Sequence, residues 1–353
     1  MELAMTPPKK SLQRSTQSSG RPGLPPAGVV GMGLMGTSIA VCLLGAGHSV
    51  VGIARNSEKH RGILKRLMGL LNDSAARGLI HQNAQTLMGR FTISSDMAAL
   101  RSAEIVIEST VEDLAVKQTI ITSIEDVLGR TALIGSNTSA IPVTQLQQLA
   151  RYPQRVLGLH WAEPAHITRF MEIICGAKTS VKSASRAMDL ARLWGKEPSL
   201  LRKDIRGFIT NRIMYAMLRE AFFLVENGYA SIADVDRSLR NDLGYWITFA
   251  GPFRFMDLTG IPAYASVMKD LLPELCRDTD VPALMSKVVG SGALGVSNAR
   301  GFYRYTPQQA KRWDHLFLKF SHEIRELAQR YPEGIGDLPL RRPPAKSRKR
   351  PAS

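Results

Sequence analysis

The sequence predicts an α/β fold class: a Rossmann-like, doubly wound parallel sheet followed by an all-α C-terminal domain. Three observations carry this. Short apolar runs of strand length alternate with segments of helical period from about residue 28 to 201, the pattern of βαβ units. A glycine-rich stretch, Gly31-Met32-Gly33-Leu34-Met35-Gly36, falls between the first apolar run and the first helical segment. From Gly207 onward strand-like runs stop and helical periodicity dominates to about residue 330.

In order, Val29-Val30 closes a first strand, and Met35, Ile39, Leu43 and Leu44 form the apolar face of the helix that follows. The glycines at 45 and 47 stop that helix, and "SVVGIA" forms a second strand. A long helical stretch covers about 57–89 with a break near Gly78. Further strands are expected at Phe91-Ile93, Ile105-Glu108, Ala132-Gly135, Val156-His160, Phe170-Cys175 and near Ser199-Leu201, with helices at about 113–128, 142–150 and 181–194. "GFITNRIMYAMLREAFFLVENG" reads as one long amphipathic helix from Gly207 to Gly228. Ser231, three residues before Asp234, has the spacing of a helix N-cap. The expected division is a basic tail at 1–26, a Rossmann-like domain at 27–203, an all-helical domain at 204–332, and a second basic tail at 333–353.

A chain of 353 residues exceeds the usual limit of a single core. Its formal charge of +16 is concentrated at the ends, since residues 1–26 contribute +3 and residues 339–353 contribute +6. Both ends are Pro- or Ser-rich with few apolar residues, the composition of solvated, disordered tails. "RRPPAKSRKRP" also has the charge for nonspecific nucleic-acid contact, but a solvated tail accounts for it. The N-terminal stretch is Ser-rich and acid-poor like a transit peptide, though its prolines oppose an amphipathic helix. No apolar run reaches membrane-spanning length, so no membrane association is expected. Cys42, Cys175 and Cys276 are odd in number and widely spaced, which points to free thiols in a reducing compartment, the cytoplasm.

The glycine motif stands where a dinucleotide fingerprint requires it. Gly31 makes the tight turn, Gly33 admits a pyrophosphate to the backbone, and Gly36 lets helix pack on strand. The first helical turn, with Leu34 and Met35, then faces the phosphates. The expected cofactor is NAD or NADP. An acid normally ends the second strand and takes the adenine ribose hydroxyls, but here the chain reads Ala54-Arg55. Loss of the carboxylate and gain of a guanidinium lean toward the 2′-phosphate of NADP. The alternative is a solvated Arg55 with NAD held through the ribose.

Glu172 lies inside the apolar run Phe170-Cys175. A buried carboxylate without a partner is costly, and His160 ends the preceding apolar run. "VVGMGLMGTSIA", "ESTVEDLAVKQTI", "GSNTSAIPV", "LGLHWAEP", "FMEIICG", "KDIRGFITNR" and "GPFRFMDLTG" follow in order. Together they resemble the 3-hydroxyacyl-CoA dehydrogenase family over roughly residues 28–306. The resemblance implies that His160 is the catalytic histidine and that Glu172 orients and polarises it. It further implies that Ser139 and Asn211 hydrogen-bond the reacting oxygen, and that Glu112 and Lys117 lie near the nicotinamide and its ribose, with Asn137 in the same loop. It also implies a homodimer through the helical domain and a role in fatty acid metabolism, β-oxidation in particular. The chemistry agrees, because alcohol oxidation needs a base near neutral pKa and a carboxylate to fix its tautomer. No acidic cluster accompanies His160 and His166, so no metal site is expected.

The expected reaction interconverts a secondary alcohol, a 3-hydroxyacyl-CoA or related 3-hydroxy acid, and its ketone. The sequence departs from the family at Trp161-Ala162-Glu163-Pro164, where "FFNP" is usual, and at "HITRF". Glu163 adds a carboxylate near the active centre, and it and Trp161 are candidate substrate residues. Members with similar "HW…P…H" segments look like dehydrogenases of non-CoA hydroxy acids or small aromatic or heterocyclic alcohols and aldehydes, which is the alternative substrate class. A lysine-dependent β-hydroxyacid dehydrogenase is disfavoured by Asn211-Arg212 at the linking helix. A non-catalytic crystallin-like or scaffold protein is disfavoured by retention of Ser139, His160, Glu172 and Asn211.

Overall fold

The structure is a computed structural model that describes residues 24–331. One eight-stranded sheet organises its N-terminal half, made of β1 (Leu24–Val30), β2 (His48–Ile53), β3 (Phe91–Ser94), β4 (Ile105–Glu108), β5 (Leu133–Ser136), β6 (Val156–Trp161), β7 (Phe170–Cys175) and β8 (Glu197–Leu201). The spatial order is β3-β2-β1-β4-β5-β6-β7-β8. All neighbours are parallel except β6 and β7. The order reverses between β1 and β4, the switch point at which doubly wound sheets bind ligands beyond their strand ends.

Helices α1 (Leu34–Ala46), α2 (His60–Ala76), α3 (Ala84–Met88), α4 (Leu114–Val127), α5 (Val143–Leu146) and α6 (Val181–Leu193) cover the sheet. Strand alternation sorts the core into two faces. Val29, Ile105, Ile107, Leu133, Leu157, Leu159, Trp161, Met171 and Ile173 pack with Ile39, Leu43, Leu67 and Leu71 of α1 and α2. Val30, Val106, Ile134 and Val156 pack on the other face with Ile121 and Ile124 of α4.

The remaining helices are α7 (Thr210–Glu226), α8 (Ile232–Asn241), α9 (Leu243–Ile247), α10 (Pro252–Thr259), α11 (Ile261–Leu271), α12 (Ala283–Gly290) and α13 (Pro307–Arg330). Ser231 caps α8 by accepting from the Asp234 N–H. Thr306 and Gln309 form a reciprocal capping box on α13. Among the described residues no helix is long and apolar enough to cross a membrane.

Two expected boundaries move. The first strand begins at Leu24, inside the stretch assigned to the tail, because Leu24 pairs with His48 and the Pro26 carbonyl accepts from the Glu104 N–H. The helix expected from Gly207 begins at Thr210, because Gly207 (φ 79°) and Phe208 (φ 54°) form a left-handed turn. The rest of the N-terminal tail, and the whole of the C-terminal one, lie outside the described residues.

Candidate active site

His160 and Glu172 are cross-strand partners in the antiparallel β6–β7 pair. Their side chains share a face, and His160 Nδ1 sits 2.9 Å from Glu172 Oε2. Both are buried. Glu172 Oε1 accepts from the Ile209 N–H at 3.1 Å, the Thr210 N–H at 2.9 Å and the Thr210 hydroxyl at 3.2 Å. One carboxylate therefore orients the imidazole and anchors the N-terminus of α7. Burial pushes the Glu172 pKa up. The hydrogen bond from His160, the Thr210 N–H, the charge of His160 and the Thr210 hydroxyl outweigh it and hold the carboxyl below its ordinary value. Phe170 meets the imidazole edge-on at 5.4 Å and Phe208 lies 5.5 Å away. These apolar walls leave Nε2 as the nitrogen available to a substrate oxygen.

The left-handed turn at Gly207-Phe208 places Asn211 in the first turn of α7, where its Nδ2 donates to the Ser139 carbonyl at 2.8 Å. Asn137 Oδ1 accepts the Trp161 N–H at 3.0 Å, next to His160, and its amide donates to Ser109 Oγ. The loop after β5 is thus stitched both to the histidine strand and to α7. Ser139 itself is exposed.

Glu112 holds that loop from the other side. Its Oε1 accepts from the Thr138 hydroxyl at 2.6 Å, the Ser139 N–H at 2.9 Å and the Ala140 N–H at 3.1 Å. Burial raises its pKa, but the Thr138 hydrogen bond, the Lys117 charge and the two backbone donors together keep it below the ordinary value. Lys117 is fully buried and lies 3.0 Å from both oxygens of Glu108 and 3.4 Å from Glu112.

Glu108, absent from the sequence candidates, is the hub here. It also accepts from Ser136 Oγ at 2.5 Å and from the Thr110 N–H and hydroxyl. The signal that singled out Glu172 was present for it too, a lone acid ending the apolar run Ile105-Glu108. Thr210, the second anchor of Glu172, was also missed.

Trp161 is a correction. Adjacent strand residues face opposite sides of a sheet, so Trp161 points away from His160. Its indole is buried and stacks on Trp194 at 5.5 Å, with Lys196 Nζ 5.0 Å from the ring centroid. That places its side chain in the core. Glu163 is exposed on the β6–β7 loop. The loop is fastened from below, since the Ala165 carbonyl accepts from Lys196 and from Cys42 Sγ, and the His166 N–H donates to Ser38 Oγ.

The glycine turn opens the switch-point crevice. Gly31 has φ 95°, and a Cβ there would lie 2.5 Å from the Ser109 carbonyl oxygen. A Cβ on Gly36 would lie 1.9 Å from the Gly31 carbonyl oxygen, so helix and turn touch through missing side chains. Around Gly33 nothing lies within 4 Å of a Cβ position, and α1 begins there without a side-chain cap. Open space at an uncapped helix N-terminus, beside exposed Leu34, suits a pyrophosphate. At the end of β2, Ala54 is half-buried with its carbonyl bonded to His60, and Arg55 is exposed. A nicotinamide dinucleotide fits these residues.

Comparison with known proteins agrees. Residues 26–205 match the family described as 3-hydroxyacyl-CoA dehydrogenase, NAD binding domain, and residues 207–305 match 3-hydroxyacyl-CoA dehydrogenase, C-terminal domain. The chain is 33% identical to a 5-formyl-3-hydroxy-2-methylpyridine 4-carboxylate 5-dehydrogenase of Mesorhizobium japonicum, over 80% of this chain and 91% of that protein. It is 31% identical to a probable 3-hydroxybutyryl-CoA dehydrogenase of Bacillus subtilis, over 78% and 96%. Among solved structures, a 5-formyl-3-hydroxy-2-methylpyridine 4-carboxylic acid 5-dehydrogenase, described as an NAD+ dependent dismutase, superposes with a TM-score of 0.81 at 29% identity, covering 87% of this chain and 99% of that one. The (S)-3-hydroxybutyryl-CoA dehydrogenase of Ralstonia eutropha gives 0.66 at 28%, covering 79% and 98%. With two consecutive matches spanning both halves of the fold, the chain belongs to the 3-hydroxyacyl-CoA dehydrogenase family.

Proposed function

We propose that the chain is a nicotinamide-dependent dehydrogenase of a small carboxylated aromatic or heterocyclic alcohol or aldehyde, with His160 as its acid-base group. The observation that carries this is the His160–Glu172 pair, in which the carboxylate takes Nδ1 and leaves Nε2 for the substrate. Oxidation removes a hydroxyl proton from a carbinol, or from the hydrate of an aldehyde, and His160 Nε2 takes that proton. Glu172 stabilises the resulting imidazolium. Asn211, with Ser139, donates to the reacting oxygen as its charge changes. The nicotinamide, when bound, accepts the hydride.

Substrate class follows from similarity and charge. The pyridine carboxylate dehydrogenase structure superposes more closely than the hydroxybutyryl-CoA enzyme, at 0.81 against 0.66. A 3-hydroxyacyl-CoA or related 3-hydroxy acid is the second reading, favoured by the family match and by Lys59, Arg61, Lys65 and Arg66, exposed around the start of α2, as partners for CoA phosphates. Turnover of 3-hydroxybutyryl-CoA measured against pyridine and benzene aldehyde-carboxylates separates the two. Faster turnover of the thioester would reject the first reading.

For the cofactor, Ala54 and Arg55 support use of NADP as well as NAD, since the carboxylate that repels a 2′-phosphate is missing. Comparing kcat/KM for the two cofactors tests this; Ala54→Asp is expected to lower the NADP value selectively. The setting that goes with this reading is the cytoplasm, and the assembly is a homodimer through the helical domain.

A further inference from the structure

The "HITRF" stretch at 166–170, where the sequence departs from its family, meets a helix that the family match does not reach. The second matched span ends at residue 305, and α13 begins at Pro307. The C-terminal half of α13 returns to the sheet-bearing half of the chain. His322 is buried there, with Nε2 3.8 Å from Asp73 Oδ2 of α2. Arg325, on the same side of α13, passes beside Gly195, where a Cβ would lie 3.5 Å from Nη2. Its Nη1 donates to the Ile167 carbonyl at 2.5 Å.

The loop that Arg325 reaches has its carbonyls turned inward. Lys196 donates to the carbonyls of Ala165 and Thr168, and Cys42 Sγ donates to that of Ala165 at 3.3 Å. Ala165 and Ile167 are buried, so their carbonyls need partners from the protein. Lys196 is buried and Arg325 half-buried, and among the described residues neither has a carboxylate partner. Withdrawing cations from water against neutral carbonyls costs stability, and apolar side chains would fill the space better. What the arrangement secures is the path of the loop.

That path bears on the reaction. β6 is parallel to β5, so the loop after it leaves the sheet at the edge where doubly wound folds bind ligands. One end of the loop is Trp161, next to His160. The other is Phe170, whose ring meets the imidazole edge-on at 5.4 Å. A shift of the loop moves that ring, and with it the wall a substrate meets at Nε2.

We infer that α13 is part of the substrate-recognition apparatus, with Arg325 a positioning residue that sets the β6–β7 loop, and through it Phe170, against the substrate at His160. Arg325 acts by holding the Ile167 carbonyl, while Lys196 holds the carbonyls on either side. This deepens the proposed dehydrogenase reading and rests on it only where turnover is the readout.

Two measurements test it. Native-state hydrogen exchange of the full wild-type chain in low urea, read by mass spectrometry, needs no substrate. The amides of His166, Ile167 and Thr168 donate to Ser38 Oγ and the Pro164 carbonyl. They are expected to share one opening free energy with the amides of residues 321–328. Loop amides that stay protected after α13 has opened overturn the inference.

In the second, Arg325→Met keeps the aliphatic stem and removes the donors. With whichever substrate class turns over faster, KM is expected to rise about tenfold, while kcat and NADH affinity change less than about threefold. Arg325→Lys restores a donor and is expected to recover part of the KM. An unchanged KM, a fall in kcat at constant KM, or a Lys variant no better than Met overturns the inference. Should Arg325→Met unfold, the exchange result alone decides. A chain that turns over neither substrate class defeats the dehydrogenase reading and leaves the exchange result standing.

Discussion

Glu172 joins two parts of the site through different oxygens: Oε2 holds His160 Nδ1 at 2.9 Å, and Oε1 takes the Thr210 N–H at the start of α7, also at 2.9 Å. Glu172→Gln keeps the shape but offers a neutral amide that cannot stabilise an imidazolium. kcat is expected to fall about 10²–10⁴-fold with little change in cofactor affinity. The acid limb follows from the lowered Glu172 pKa. Its folded value lies below its unfolded one, so the stability it contributes is present above about pH 4.5 and is lost as pH falls through the folded value. Wild-type activity retained in a folded Gln variant would reject the role.

How far this was legible in the sequence depends on what fixes each feature. Glu172 stood out because a lone acid in an apolar strand needs a partner, and the antiparallel register supplied His160. Glu108 carried the same signal, but it ends its strand, and a run that stops at an acid does not show by itself that the acid is buried, as Glu108 is. Trp161 was misplaced for want of parity. Once His160 faces the cleft its neighbour cannot, but the sequence alone does not say which of the two faces it. The late start of α7 rests on Phe208 at positive φ, a backbone state no apolar pattern announces.

Lys117 and Glu108 form a fully buried ion pair, with Ser136 and Thr110 satisfying the remaining oxygen positions. Removing the cation alone leaves a buried carboxylate uncompensated. Lys117→Met is expected to lower unfolding free energy by about 3–5 kcal/mol. The double variant Lys117→Met/Glu108→Gln is expected to recover part of that loss. Urea unfolding of the two variants checks it, and equal losses would show that the charge imbalance is not the cause.

Gly33 and Gly36 separate binding from folding. A side chain at Gly33 meets nothing within 4 Å and needs no unusual φ, so Gly33→Val is expected to fold normally. It would stand where the backbone must approach the pyrophosphate, and cofactor affinity is expected to fall more than about tenfold. Gly36→Ala instead sets a Cβ 1.9 Å from the Gly31 carbonyl oxygen, which only a shift of helix against turn relieves. Its melting temperature is expected to drop. Thermal melts beside NADH fluorescence titration give the two readouts; a destabilised Gly33→Val with intact binding would contradict the assignment.

His166 fixes the β6–β7 loop to α1 in one protonation state. Ser38 Oγ accepts the His166 backbone N–H at 2.9 Å and lies 2.7 Å from His166 Nδ1, within hydrogen-bond reach of the ring. Burial lowers its pKa to about 4, opposed by the charge of Asp73 and assisted by His322, Lys196 and Arg325. Between the ordinary histidine value of 6.5 and about 4 the unfolded chain takes up a proton that the folded chain refuses. Stability is therefore full above that window and falls as pH drops through it. His48 and His322 are also shifted down by burial, so the wild-type profile alone does not isolate His166. The difference between wild type and His166→Gln does, because the other histidines cancel. That difference in unfolding free energy is expected to move against the wild type between pH 7 and pH 4.5. A difference that stays constant would mean that His166 is not held neutral.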